Sequence, residues 1–160
     1  MGAGWRTNAQ EQEIFNLAKN ELKADVAYIL GATLKVEYEH LLSDWSGLGA
    51  MVSYNFSGND FLDYRFQMLG LYRLYFGKQP VSGFFLEGNM GIISGNYDSH
   101  YHYYTHKTYT TFGMGIALGL KWHINKSNIV LDIFGGAGRM FNENSIGAYP
   151  RVGICVGKRF

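Results

Sequence analysis

The stretch that decides the fold is Tyr109–Ile124, YTTFGMGIALGLKWHI. From Phe112 to Trp122, large apolar side chains occupy every second position, and glycine, alanine or lysine stands between them. A period of two predicts a β-strand whose two faces meet different surroundings. The run exceeds the roughly 9–11 residues that a tilted strand needs to cross a bilayer. Because a soluble barrel shows the same alternation, this stretch is compatible with a membrane barrel and with a soluble barrel.

Working outward from this stretch, the same alternation recurs in seven further segments. They are Glu21–Leu30, Thr33–Leu41, Gly47–Phe56, Tyr64–Phe76, Gly83–Ser94, Asn128–Phe141 and Gly147–Phe160. Arg139 places a charge on the apolar face of its segment, which predicts a β-bulge or an early strand end at that point. The sequence therefore predicts eight strands with one irregularity.

The predicted fold is all-β, an eight-stranded antiparallel up-and-down transmembrane β-barrel with a short N-terminal helix or leader. The barrel is expected to span residues 20–160, and residues 1–19 are expected to form the leader or short helix, since Glu11–Lys19 is helix-like. Residues 1–9 are compatible with the end of a secretory signal or with a disordered leader.

The predicted connections alternate in length, as in outer-membrane barrels with short periplasmic turns and longer external loops. Short turns are expected at Ser43–Trp45, Gly77–Pro80 and Asn125–Ser127, and longer loops at Ser57–Asp63, Gly95–Thr108 and Asn142–Ile146. The tight connection Gly31–Ala32 after the first segment breaks this alternation.

Three features favour a membrane barrel over a soluble, lipocalin-like barrel. The polar face combines charges with glycines, which suits the crowded interior of an eight-stranded barrel. The apolar face is long and nearly free of charge, and Phe160 at the end of the last alternating segment resembles the assembly signal of outer-membrane proteins. Aromatic residues recur towards strand ends, as in interfacial girdles, at Tyr28, Tyr38, Tyr54, Phe56, Tyr64, Tyr72, Phe76 and Trp122.

Composition narrows the function classes. The 14 basic and 13 acidic residues give a net charge of +1, which provides no electrostatic case for a nucleic-acid partner. The single cysteine, Cys155, excludes an intrachain disulfide and a cysteine-based zinc site. The sequence predicts no cofactor.

Residues 20–160 resemble the small OmpA/OmpX-like outer-membrane barrels. The run from Asn20 through Glu39 is similar to the opening hairpin of an uncharacterised barrel family of Bacteroidota, and Val152–Phe160 fits the same pattern. This resemblance implies the fold and a location in the bacterial outer membrane, and it transfers no activity.

The charges on the predicted inner face are expected to pair, because an unpaired buried charge costs several kcal/mol. We expect a salt-bridge network that plugs the lumen, centred on Arg65, Arg73, Glu37 and Glu87; a gated or narrow polar channel is the alternative. The predicted network comprises Lys23, Asp25, Lys35, Glu37, Glu39, Arg65, Arg73, Glu87, Lys121, Asp132, Arg151 and Arg159.

A histidine- and tyrosine-rich segment lies in the longest predicted loop. His100, His102 and His106 could bind a transition metal through their imidazoles, or the segment could contact a partner. Catalytic residues are not expected, because the chain lacks the His-x-Ser element of lipid A acyl-modifying barrels, and Ser94 is only a loose match.

The sequence thus predicts a non-enzymatic outer-membrane barrel with a structural or interaction role. Expected partners are outer-membrane lipid, the barrel assembly machinery and a possible envelope protein that contacts the loops. A small transport or ligand-binding barrel is the alternative.

Overall fold

The computed structural model describes residues 18–56, 64–97, 107–124, 127–142 and 145–160. Eight antiparallel strands in chain order form one closed barrel, as predicted. The strands are β1 (Asn20–Asp25), β2 (Thr33–Ser43), β3 (Ser46–Asn55), β4 (Phe66–Tyr75), β5 (Gly83–Tyr97), β6 (Lys107–Ile124), β7 (Ile129–Asn142) and β8 (Ser145–Arg159), and a helix, α1 (Val26–Leu30), follows β1. Within these ranges, no helix is long and apolar enough to cross a membrane.

The barrel closes where the two ends of the chain meet. Strand β1 pairs with β8 in a register that places Glu21 opposite Arg159. Asn20 and Phe160 extend the ladder, with backbone N–H···O distances of 2.9 and 2.8 Å. Closure leaves no free sheet edge, so every strand has two neighbours.

The alternation of the sequence becomes an alternation between the lumen and the outer surface. In β6, Ile116 is 65% exposed, whereas Ala117 beside it is 1% exposed. Similar alternation occurs along the other strands, with apolar side chains outside and charged or small residues inside. Around the barrel, the strands therefore turn their polar faces to the lumen and their apolar faces outward, as predicted.

The first predicted strand is wrong beyond Asp25, because the chain turns there into helix α1. The Asp25 carboxylate accepts hydrogen bonds from the backbone N–H groups of Ala27 (3.1 Å) and Tyr28 (3.4 Å), which caps the helix. Such capping satisfies N–H groups that have no partner within the helix. Because α1 lies between β1 and β2, the connection between these strands is longer than the tight turn predicted at Gly31–Ala32.

Two other local predictions are wrong. The ladder between β7 and β8 runs without a break through the pair Arg139 and Ala148, so no bulge forms there. The same ladder continues to Asn142 and Ser145, which shortens the loop predicted for residues 142–146. Polar side chains predicted a loop there, but backbone pairing in a hairpin does not require apolar side chains.

Inward-facing glycines make room for large side chains and for close strand contact. A Cβ atom at Gly136 would clash with the Ile116 carbonyl oxygen and would lie 2.5 Å from Ala117 Cα. At the adjacent outward-facing Gly135, a Cβ atom would meet nothing within 4 Å. Among the glycines that the structure describes, only Gly83 has positive φ, so Gly135 and Gly136 differ in the space around them.

These two glycines provide a matched pair of substitutions. We expect Gly136→Ala to lower the free energy of unfolding by about 1–3 kcal/mol, because the added methyl group overpacks against backbone atoms. Gly135→Ala should raise the free energy of unfolding slightly, by about 0.4–1 kcal/mol, because alanine lowers the conformational entropy of the unfolded chain. Urea unfolding in detergent micelles, followed by tryptophan fluorescence, measures both; equal midpoints for the two variants would contradict the assigned packing.

Candidate functional site

A band of charged side chains fills the lumen. Six acidic and six basic side chains are buried there, each at most 3% exposed, so the band is formally neutral. Charges withdrawn from water must be compensated by opposite charges and hydrogen bonds. The members of this lumen charge network are Glu21, Lys23, Asp25, Lys35, Glu37, Glu39, Arg73, Glu87, Lys121, Asp132, Arg151 and Arg159.

Glu39 on β2 is the acidic hub of the network. Its Oε2 atom lies 2.6 Å from Lys23 Nζ, 3.0 Å from Arg73 Nη1 and 2.9 Å from Lys121 Nζ. The Tyr75 hydroxyl donates a hydrogen bond to its Oε1 atom. One carboxylate thus accepts from donors on β1, β4 and β6, so its position depends on three separate strands.

Arg73 on β4 is the basic counterpart. Its guanidinium nitrogens lie 2.7 Å from Glu37 and Glu87 and 2.9 Å from Asp132, in addition to the contact with Glu39. The planar, permanently charged guanidinium can serve several carboxylates at once, which an ammonium does less well. Arg73 therefore neutralises charge on three other strands.

Several of these pairs span the barrel. Lys121 on β6 meets Glu39 on β2, and these strands are opposite in a ring of eight. Arg151 on β8 reaches Glu87 on β5 at 2.8 Å, and Arg73 on β4 reaches Asp132 on β7. Because opposite walls are joined by direct ion pairs, the side chains close the lumen at this level.

Aromatic rings lie close to the cations of the network. The Arg151 guanidinium lies 4.3 Å from the Phe134 ring centroid, and Arg73 lies 4.6 Å from that of Phe85. Lys121 Nζ lies 4.6 Å from the Tyr75 ring. The negative ring faces attract these cations, which are buried from solvent.

Two apolar clusters flank the charged band. The lower cluster comprises Leu41, Tyr75, Val81, Phe85, Phe134 and Cys155. The upper cluster comprises Met51, Tyr64, Leu69, Leu71, Ile93 and Tyr149. The upper cluster lies towards the strand ends at β3–β4 and β5–β6, whereas Cys155 of the lower cluster pairs with Asp132 of the network, so apolar and charged side chains share that part of the lumen.

Helix α1 links the network to the upper mouth. Asp25, which caps the helix, also accepts a hydrogen bond from Lys35 Nζ at 2.8 Å. Lys35 Nζ lies 4.2 Å from the ring of Tyr28, and the Tyr28 and Tyr64 hydroxyls interact with each other. Burial raises the pKa of both tyrosines, so they remain neutral donors.

The structure brings together all of the predicted network residues except Arg65. The Arg65 side chain is exposed, and its guanidinium lies 5.9 Å from the ring of Tyr54 outside the network. Arg65 precedes β4, so the strand parity that predicted its orientation does not hold there. The centre lies instead at Glu39 and Arg73, with Glu37 and Glu87 bonded around them.

Sequence reasoning missed Glu21. It pairs with Arg159 at 2.6 Å and with Lys121 at 2.7 Å. Its parity in β1 equals that of Lys23 and Asp25, so the signal was present in the alternation. Glu21 completes the balance of six negative and six positive charges.

Among the described residues, one group of carboxylates is close enough to share a metal ion, namely Glu37, Glu39 and Asp132. Lys23 Nζ lies 3.0, 2.6 and 2.7 Å from these three carboxylates, so an ammonium group already lies among them, and Arg73 contacts the same three. The metal ligands predicted at His100, His102 and His106 lie outside the described residues, and that hypothesis stays a prediction.

The outer surface carries aromatic rings near both ends of the strands. Phe112 and Phe141 stack at 6.3 Å near one end, and Phe76 and Phe84 lie 6.1 Å apart near the other. Two predicted members of the girdle do not belong to it, because Tyr64 is buried and Tyr28 lies in α1. The exposed Phe160 is compatible with the predicted assembly signal, which stays a prediction.

Comparisons with known proteins identify no family for this chain. No family model matches the chain, and no curated protein matches it. A solved structure that matches is the Yersinia pestis outer membrane protein Ail in a phospholipid bilayer nanodisc, with 13% sequence identity, a TM-score of 0.42 and coverage of 89% of this chain and 99% of that chain. A match this weak supports no inference about function, and the predicted relation to a Bacteroidota family stays a prediction.

Removal of Arg73 tests the network. We expect Arg73→Met to lower the free energy of unfolding by about 3–5 kcal/mol, because it leaves buried carboxylates without compensation. Arg65→Met, at an exposed arginine close by in sequence, should change it by less than about 0.5 kcal/mol. Urea unfolding in detergent micelles gives both values.

A double variant separates charge balance from loss of packing. Arg73→Met combined with Glu87→Gln restores neutrality, so its loss of stability should be smaller than the sum of the two single losses. Strict additivity of the two losses would contradict the assigned coupling.

Proposed function

We propose that this chain is a bacterial outer-membrane β-barrel with a closed lumen, whose role is structural or lies in contacts made by its loops and outer surface. One observation carries the proposal: the polarity of the barrel is inverted. Charged side chains occupy the lumen, while large apolar side chains such as Leu118 and Met90 are about half exposed on the outside, at 50% and 54%.

The exposed apolar surface is far larger than a soluble monomer carries. Exposed patches on such proteins rarely exceed a few hundred Å². Here apolar side chains are exposed on every strand, and examples from four of them are Leu22, Leu34, Ile116 and Ile154, at 39–65% exposure. Lipid tails would cover this surface, and a closed barrel satisfies the backbone hydrogen bonds that hydrocarbon cannot.

The position of the aromatic rings supports the same environment. Tyr54, Phe112 and Phe141 lie near the end of the barrel that carries the longer connections, and Phe76 and Trp122 lie near the other end. Outer-membrane barrels carry such rings at both interfaces, with an apolar band of roughly 25 Å between them. We therefore assign the longer connections to the external side and both chain ends to the periplasmic side.

The closed lumen favours a structural or interaction role over transport. Ion pairs between opposite strands, such as Lys121 with Glu39, occupy the path that a solute would take. We infer that any partner meets the connections between β3 and β4 and between β5 and β6, or the outer surface; the predicted loop Gly95–Thr108 is shorter than expected, because its two ends belong to β5 and β6. Outer-membrane lipid, the barrel assembly machinery and an envelope protein are the partners we propose, and we propose no enzymatic activity.

A charge placed on the outer surface distinguishes lipid from water. We expect Ile116→Arg to lower the free energy of unfolding in lipid vesicles by about 2–4 kcal/mol, the effect of arginine near a bilayer midplane. Gln79→Arg in an exposed turn should change it by less than about 0.5 kcal/mol. If both variants are as stable as the wild type and the chain is monodisperse without detergent, the membrane proposal fails.

Conductance tests the closed lumen. Purified protein in planar bilayers should give no reproducible ion conductance, after folding has been verified by β-type circular dichroism and a heat-dependent shift on gels. Regular conductance steps from folded protein would favour the transport alternative.

A further inference from the structure

The outer surface contains a shallow groove that crosses from β3 to β7. It has a volume of about 750 Å³ and is bordered by large apolar side chains, including those of Leu48, Met90 and Ile116. Small residues lie between them, at Gly70, Gly88 and Ala137. The groove therefore interrupts the bulky apolar side chains on this part of the outer surface.

Internal packing does not require these outer glycines. A Cβ atom at Gly88 would meet nothing within 4 Å, and one at Gly70 would meet only the Met90 carbonyl oxygen, at an ordinary 3.7 Å. Neither residue is among those with positive φ. The absence of a side chain at these positions affects the outer surface alone, where it lets a bound chain approach the backbone.

Arg139 lies at the border of this groove and is the only charged residue of its lining. Among the strand side chains that the structure describes, the exposed charged ones are Arg139 and Lys158. Lys158 pairs with Ile129 near the periplasmic end of the barrel. Arg139 is the one placed beside the groove.

The direction of the Arg139 side chain indicates which part of a membrane it can contact. Its guanidinium carbon lies 5.7 Å from the ring centroid of Phe141, so the side chain extends along β7 towards the end with the longer connections. Arginine side chains on a lipid-facing surface extend towards the headgroup region in this way. The other polar residue of the lining, Asn89, is buried and bonded to Tyr149 and Glu87.

We propose that the groove binds a single lipid with an anionic phosphate headgroup, with an acyl chain along the small residues and the phosphate at Arg139. The apolar groove and the cation at its border match the two parts of such a lipid. A guanidinium binds phosphate oxygens in a bidentate manner, and an acyl chain gains dispersion contacts where it reaches the backbone. This inference rests on the proposed function, since it requires a lipid environment.

Native mass spectrometry of the folded barrel in detergent micelles tests the site, with dimyristoyl phosphatidylglycerol and dimyristoyl phosphatidylcholine as probes. We expect one phosphatidylglycerol per barrel, bound about tenfold more tightly than phosphatidylcholine, because the quaternary ammonium of the choline headgroup offsets the phosphate charge that Arg139 would bind. Arg139→Gln should abolish this preference. Gly88→Leu should fill the groove and weaken binding of both lipids about tenfold.

Two substitutions outside the groove serve as matched controls. Lys158→Gln removes the other exposed strand cation, and Gly135→Leu adds the same side chain at an outward glycine that does not line the groove. Both should retain wild-type lipid binding. Inorganic phosphate should not displace the lipid, because it lacks an acyl chain.

Several results would overturn the site: equal affinity of the wild type for both lipids, equal effects of the controls, or displacement by inorganic phosphate. A dimer that Gly88→Leu dissociates would instead assign the groove to a second copy of the chain. A barrel that folds in micelles but binds both lipids equally overturns this inference alone. A chain that folds as a soluble protein without detergent overturns the proposed function as well.

Discussion

The structure depends on charge compensation inside the barrel. Six acidic and six basic side chains are enclosed by a ring of eight strands, and each needs a partner there because it is buried from solvent. Glu39 and Arg73 satisfy this requirement across the ring, since each bonds to residues on three other strands. The pairing fixes the distance between opposite walls and closes the lumen.

Other features follow from the space that this network needs. Glycine occupies inward positions where a Cβ atom would meet a network residue, as at Gly153, where it would clash with Asp25 and lie 3.0 Å from Lys35 Nζ. Phenylalanine rings stack on the guanidinium groups of Arg73 and Arg151. The charged groups lie inside and the outer surface is apolar, and this inversion leads to the proposal of a membrane environment.

The alternation of residues predicted the barrel and most of its lumen, because a period of two assigns each strand residue to one face. It failed where the chain leaves the strand. Asp25 has the parity of an inward residue, but its carboxylate also caps α1, and Arg65 lies before the first residue of β4. Arg139 is the reverse case: its exception to the alternation predicted a bulge, whereas the ladder is regular and the charge lies outside. Sequence alternation does not distinguish an irregular backbone from a charged side chain on the outer surface.

We propose that the outer face of the barrel contacts lipid, while the inner face is packed. A nitroxide scan from residue 112 to residue 122 of β6, in reconstituted bilayers, tests it most directly. Outward positions such as Met114, Ile116 and Leu118 should be accessible to oxygen and shielded from a water-soluble relaxation agent, and inward positions should be shielded from both. High accessibility of the outward positions to the water-soluble agent would contradict the account.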